Sequence, residues 1–420
     1  MPAETAEHRR LAEIHDDIGS WRRWGPYLSD RSWSMVREDY SANGNAWNFL
    51  THDQARSKAY RWGEDGIAGI ADRYQLLCFA PAFWNGRDPI LKERFFGLSH
   101  TQGNHGEDVK VYYFFVDNLP SHAYMRFVYK YPQAEFPYSL LVEENRRRDG
   151  RGFEFELMDT GIFNENRYFD IVVEYAKATT EDIAVRIEAI NRGPDTAPLH
   201  ILPHLWFRNT WSWGPEPQPK PGIRVGPEHS DGPCLETSDC GVATLSNIPI
   251  FYRLGRRGLD ASAGGIPLFT ENETNACRIF GSEQVNRKPH VKDAFHRCII
   301  SGEMCINPDC IGTKAALHYR FEAIPPDGSV TVRLRLSHRG EDRPHLSEVD
   351  TIVAARRAEA DEFYSAIQPR GASDDERRIQ RQALAGLLWS KQSYLFDVNV
   401  WLDGDDPNHP PPPSRHTIRN

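Results

Sequence analysis

From Val109 to Ser337 the apolar residues recur mainly at every second position. In Ile183–Ile190 the residues Ile183, Val185, Ile187 and Ala189 alternate with mostly polar or charged neighbours. That pattern suits a strand with one face in a core and one toward water, and it does not suit a helix. Ile171–Tyr175 is a second strand, separated from it by the turn-like Ala178–Asp182. Asn191-Arg192-Gly193-Pro194 reads as a turn, and Leu199–Phe207 as the strand that follows. Further strands are expected at Tyr74–Ala82, Val111–Val116, Gly241–Leu245, Ile250–Leu254 and Ala276–Phe280. Lys314–Ala323 and Val330–Ser337 flank Pro325-Pro326-Asp327-Gly328 and read as a hairpin, with Val332, Leu334 and Leu336 facing one way. Many strands with long loops and almost no helix between them predict a mainly β chain built on a large antiparallel β-sandwich.

The flanks follow other rules. Residues 4–19 carry Leu11, Ile14 and Ile18 at helical spacing. Trp21–Ser41 is dense in aromatic and ion-pairing side chains but has neither period. It reads either as a strap over a sheet, held by Trp and Arg–carboxylate pairs, or as a rim that reaches a ligand. Thr51 and Gln54 form a capping-box pattern, so a helix should start there. After His338, Leu346–Ile367 reads as a helix. Ser373 and Glu376 cap a second one, which Ile379, Ala383 and Leu387 carry to about Tyr394. Val398–Asp403 looks extended. The expected division is a strap at 1–90, the sandwich at 91–340, and a helical segment at 341–420.

Composition narrows the function. The 420 residues carry a formal charge of −9, which argues against a nucleic-acid or anionic-membrane partner. The first twenty residues are polar and no run reaches the length of a membrane span, so the expected location is the cytoplasm. Seven Cys, an odd number, fit reduced thiols better than a disulfide framework. Cys298, Cys305 and Cys310 cluster near His296 without a zinc-type spacing, and no metal is assigned there. Asn272-Glu273-Thr274 has the form of a glycosylation acceptor, which carries no weight without secretion. The eleven Trp fit either sugar-face stacking or core filling.

Glu93–Tyr138 is the least ordinary stretch: an aromatic run, a polar loop through Gly103-Asn104-His105-Gly106, and an apolar segment. Its acids and those nearby come as neighbours: Glu38/Asp39, Glu107/Asp108 and Glu143/Glu144. Adjacent residues of an extended chain point apart, so no such pair is by itself a catalytic acid and base. Pairing of Glu38 and Asp39 with Arg31 or Arg37, and of Glu107 and Asp108 with Lys110, accounts for them structurally. No catalytic residue is assigned. The candidate substrate-binding residues are Trp33, Arg37, Glu38, Asp39 and His105: Trp to stack on a sugar face, the others to bond hydroxyls.

Several long motifs coincide with a known pattern. They are Trp24-Gly-Pro-Tyr-Leu-Ser through Arg31, Trp33, and Arg37-Glu-Asp-Tyr-Ser41; Glu93-Arg-Phe-Phe-Gly97; Gly103-Asn-His-Gly-Glu-Asp-Val109; Tyr129 to Tyr138; Phe169 to Lys177; and Ile201-Leu-Pro-His204-Leu-Trp206 to Trp213. Together they resemble the N-terminal half of bacterial glycoside hydrolase family 63 proteins, the mannosyl-oligosaccharide glucosidase-like group, whose catalytic domain is of the mannosylglycerate hydrolase-like type. The resemblance implies a β-sandwich joined by a helical linker to an (α/α)6 barrel that hydrolyses α-glucosidic bonds with inversion. Asp374–Tyr394 then matches the first helix of that barrel, truncated here, and the family's catalytic acid and base have no counterpart in these residues. No organic cofactor is implied; the full-length protein leaves room for calcium. The implied partners are an oligosaccharide or small glycoside and the missing helical catalytic domain. The alternatives are a noncatalytic carbohydrate-binding or scaffold protein, or the product of a split gene.

Overall fold

A computed structural model describes residues 4–14, 20–31, 40–99, 102, 108–148, 151–213, 218–227, 231–239, 248, 252–340, 344–404 and 411–417. Two antiparallel sheets dominate it. The smaller has six strands in the order Trp24–Gly25, Ile70–Asp72, Leu77–Trp84, Ala197–Phe207, Lys314–Ile324, Ile266–Thr270. The larger has nine: Ile311–Gly312, Gly222–Val225, Cys234–Ser238, Arg256–Ala261, Ser329–His338, Asp182–Asn191, Tyr168–Thr179, Tyr124–Pro132, Tyr112–Asn118. Three strands of the smaller sheet come from residues before 91.

The alternation read from the sequence sets the packing. In the Tyr168–Thr179/Asp182–Asn191 hairpin, Val173 faces Ile187 and Tyr175 faces Val185, and all four are buried in one core. The smaller sheet supplies the opposite wall. Phe79 meets Tyr175 with ring centroids 6.2 Å apart, and Phe83 meets Tyr129 at 6.4 Å. These edge-to-face and tilted contacts join the sheets into a sandwich.

The expected Lys314–Ser337 hairpin is not one. Its two strands lie in different sheets: Lys314–Ile324 pairs with Ala197–Phe207, and Ser329–His338 pairs with Asp182–Asn191. The Pro325–Gly328 turn, with Asp327 left-handed at φ 55°, carries the chain across the core. Alternation tells which face of a strand is buried, and both outcomes share it.

Local capping overturns two other expectations. Ala276–Phe280 is a helix, not a strand: Asn275 accepts the Arg278 N–H at its start, and Gly281 at φ 105° ends it. Val398–Asp403 is also helical, because the Asp397 carboxylate accepts the N–H groups of Asn399 and Val400. Tyr138–Arg147 and Ala294–Ser301 are helices inside the region read as strand and loop. The first of these carries Glu143 and Glu144 on its surface, where Glu144 pairs with Arg147 at 2.5 Å. Residue 252 to 255 is not strand, and Gly241–Leu245 lies outside the described residues.

Helices cover the larger sheet. Val349–Ile367 lays Val353, Ala360, Phe363 and Tyr364 over Tyr124, Ala176 and Ala184 on its outer face. Asp374–Trp389 starts on the expected Ser373/Glu376 capping box and docks on the Tyr112–Asn118 edge through Ala385 and Trp389. The Ile379–Ala383–Leu387 face points the other way: Ile379 is 61% exposed and Leu387 72%. Side chains pin the described residues near Trp21 to the larger sheet. Arg23 pairs with Glu181 at 2.7 Å, and buried Lys177 donates to the carbonyls of Trp21 and Trp24 at 2.5 and 2.6 Å. Among the described residues no helix is long and apolar enough to cross a membrane.

Candidate functional site

The central strands of the smaller sheet are buried on both faces, so the side chains opposite the sandwich core need cover of their own. His204 lies between Ala80 and Ala316 of the neighbouring strands. These small residues leave space above the sheet, and charged groups fill it. Lys314 Nζ donates to Glu93 Oε1 at 2.8 Å, and His204 Nδ1 lies 3.4 Å from the same oxygen. Arg94 Nε reaches both oxygens of Asp65 at 3.2 Å. Lys292 Nζ donates to the Lys58 carbonyl at 2.8 Å and sits 3.8 Å from the centre of the Tyr60 ring. Asn272 Nδ2 donates to Glu64 Oε1 at 2.8 Å. Gly66 admits no larger residue here: a Cβ would stand 2.6 Å from that of Ala80.

Electrostatics sort these groups. Burial alone would raise the Glu93 pKa, but the charges of Lys314 and Arg94 outweigh it and hold the carboxyl well below its usual range. Burial, reinforced by Lys314, lowers His204 to about 3, so the ring is neutral. Lys292 is lowered to about 8 by burial, against the pull of Glu64 and Asp65. Glu64 is raised, chiefly by burial. An ionised and a raised carboxyl facing one cavity is a pattern that acid/base catalysis also uses. The cavity decides against it. Its volume is about 20 Å³, enough for a single water, which needs roughly 10–15 Å³. A sugar ring does not fit. The cluster is a buried ionic clamp that ties residues 58–94 and 272–292 to the sheet.

A larger space of about 80 Å³ lies at another edge, lined by Arg31, Trp47, His52, Phe95, Ser99 and Gln102, among others. Each is held by local structure. Thr51 and Gln54 form the expected capping box, which fixes His52 at the start of a short helix. The His52 ring packs on Phe96 and Tyr138, with centroids 5.2 and 5.9 Å apart. Burial, then the charges of Lys92, Arg94 and Arg56, push its pKa well below the usual value. Phe95 N–H donates to the Asp30 carbonyl at 2.8 Å, which places Arg31 at the rim. A two-stranded ribbon, Gly97–Leu98 with Asp108–Val109, closes the base of the segment between them.

Trp33, Arg37, Glu38, Asp39 and His105 all lie outside the described residues, as do Asn104 and Glu107. The residues that flank them are described. Arg31 precedes the first group, and Ser99 and Gln102 precede the second; all three line this one pocket. The described residues that adjoin the two segments thus meet at one pocket. Lys110 contacts Glu154 at 2.6 Å and Glu156 at 3.1 Å.

Asp30 escaped the sequence reading. Its Oδ1 accepts the Ala68 N–H at 3.1 Å. Burial raises its pKa to about 7, only partly offset by that bond and by Arg31. Its neighbour Arg31 and its backbone partner Phe95 both line the pocket. The only hint in the sequence is an acid inside an aromatic, irregular run. The Glu93, Lys314 and His204 grouping had a clearer signal: His200, His204 and Trp206, like Lys314, Ala316 and His318, recur with period two on the face away from the sandwich core.

The form of a glycosylation acceptor at Asn272 is also resolved. Asn272 is fully buried and bonds Glu64 and the Phe207 carbonyl. Of the Trp residues, Trp24, Trp62, Trp206, Trp211 and Trp389 are buried, whereas Trp47 and Trp213 are half-buried at pocket walls.

No family model matches the chain. It is similar to YMR196W, an uncharacterised protein of Saccharomyces cerevisiae, with 40% identity over 99% of this chain and 41% of that protein. The chain therefore spans about 41% of the length of this curated relative. Among solved structures it is similar to a candidate aldose 1-epimerase of Escherichia coli K12, with 9% identity over 62% of this chain and 82% of that one, at a TM-score of 0.23. A similarity at that score carries no argument about fold or chemistry.

Proposed function

We propose that this chain is the β-sandwich portion of a larger carbohydrate-active protein, a glycoside hydrolase that opens α-glucosidic bonds with inversion, and that it walls the sugar site without breaking the bond. One observation carries the reading: Arg31 and Gln102, the described neighbours of the segments bearing Trp33 to Asp39 and His105, line one pocket together with Trp47. An indole face with a guanidinium and amides beside it is the chemistry that recognises a saccharide.

The catalytic division of labour follows from size and charge. An inverting hydrolase needs two carboxyl groups roughly 6.5–9.5 Å apart with room for sugar and water between them. The buried clamp around Glu93 has no such room. In this reading the acid and base belong to a helical barrel of which Asp374–Trp389 is the first helix. Two facts support it. The yeast relative is more than twice as long as the matched region. The outer face of that helix carries Ile379, Ala383 and Leu387 in a row, exposed, an apolar stripe suited to a neighbouring helix.

Substituting Arg37→Ala in a longer protein that contains this sandwich tests the wall. Both affinity and turnover on α-glucosides should fall. Unchanged affinity and turnover, with lower thermal stability alone, would mean a structural strap.

A further inference from the structure

A second cavity, about 130 Å³, lies at the turn that follows the Ala197–Phe207 strand. The turn is built by one side chain. Asn209 Oδ1 accepts the N–H groups of Trp211 and Ser212 at 3.3 and 3.1 Å, and Asn209 O accepts the Trp213 indole N–H at 2.7 Å. Asn209 is itself anchored, donating to the Asn272 carbonyl at 2.8 Å. The Trp213 ring is thereby locked at the cavity wall, with the Lys58 ammonium 5.2 Å from its centroid.

Glu273 also lines the cavity and is only 5% exposed. Its Oε1 takes two hydrogen bonds, from Trp211 Nε1 at 2.8 Å and from Ser212 Oγ at 2.6 Å. Its Oε2 has no hydrogen bond among the described residues. A carboxylate oxygen without a protein donor at a cavity wall is a strong acceptor for a ligand hydroxyl. Arg287 donates to the Ser212 carbonyl and brings a positive charge to the same wall, while Phe280 adds a second aromatic surface.

We infer that this cavity is a second binding site, for the end of a neutral, hydroxyl-bearing saccharide that lies against Trp213 and donates a hydroxyl hydrogen to Glu273 Oε2. Anions are disfavoured by the carboxylate and cations by Arg287 and Lys58, so the mixed charge selects a neutral polyol with one apolar face. The choice of a saccharide as ligand rests on the carbohydrate reading above, but the site is formed by different residues.

The test is titration of the ¹⁵N-labelled 420-residue chain with maltotriose, following the indole N–H signals, with glucose 6-phosphate and spermidine as charged controls. The Trp213 and Trp211 signals should shift with maltotriose and stay fixed with both controls. Glu273→Gln keeps an acceptor for Trp211 and Ser212 but replaces the free oxygen with a donor; it should weaken binding by about tenfold or more with an unchanged melting temperature. Gln284→Trp, placed on the exposed rim away from the turn, should block the site and covers the case in which the Glu273 variant misfolds. Shifts at Trp47 alone support the Arg31–Gln102 pocket and overturn this inference. So do a response to either charged control, affinity unchanged by both variants, and no response to maltotriose at Trp213.

Discussion

The Trp389 indole lies nearly parallel to the Phe115 ring, with centroids 5.5 Å and planes 16° apart, and its Nε1 donates to the Asp117 carbonyl at 3.0 Å. This pair fixes the Asp374–Trp389 helix to the edge of the larger sheet and inserts its last residue into the sandwich core.

Trp389→Ala should cost about 3–5 kcal/mol, measured as a lower urea midpoint, and should free the helix. Ile379→Glu and Leu387→Glu should stay within about 0.5 kcal/mol in this chain, because both side chains face solvent. In a longer protein whose helices cover that stripe, the same two substitutions should cost about 2 kcal/mol or more.

Glu93 and Lys314 form a buried pair. Glu93→Gln leaves Lys314 without its carboxylate, and Lys314→Met leaves Glu93 with Arg94, 3.7 Å away, as its cation; each should destabilise by roughly 3–5 kcal/mol. The double variant should lose less than the two single losses added. A double-mutant cycle on chemical denaturation checks this, and strict additivity would mean that the two groups are not coupled.

The sandwich was legible because alternation is a local signal. Ile183 to Ala189 announces a buried face wherever its partner strand lies. Partner choice is not local: Lys314–Ile324 and Ser329–His338 read as a hairpin and join different sheets, since the pattern is the same for both arrangements. Short helices were lost for a related reason. Ala276–Phe280 and Val398–Asp403 are set by one capping side chain each, Asn275 and Asp397, and a few apolar residues in a row fit strand equally well. In the Asp374–Trp389 helix, Ile379, Ala383 and Leu387 marked the element but not its end, expected near Tyr394; Ala385 and Trp389 form its inward face. At the candidate site, the aromatic and charged loops stood out by composition. The contact of Glu93 with Lys314, 221 positions away in sequence, left only the period-two placement of His204 and Lys314 as a trace.

Asp30 gives a pH signature. Its folded pKa, about 7, lies above the ordinary 3.8, so between those values the folded state binds more protons than the unfolded one. Its contribution therefore favours folding at acid pH and is lost as pH rises from 3.8 through 7. Asp30→Asn should remove that loss. The variant should gain stability over the parent at pH 8 and less, or nothing, at pH 4, in denaturant titrations at the two pH values.

The central claim is that this sandwich holds a saccharide at the Arg31–Gln102 pocket and leaves bond cleavage to another part of a larger protein. Its most direct test is calorimetric titration of the 420-residue chain with maltotriose, beside the Trp47→Leu variant and on a Glu273→Gln background that silences the second cavity, with anomer-resolved NMR of the same samples. The chain should bind maltotriose, Trp47→Leu should weaken that binding, and no glucose should be released. Binding indifferent to Trp47, or glucose released by this chain alone, would contradict it.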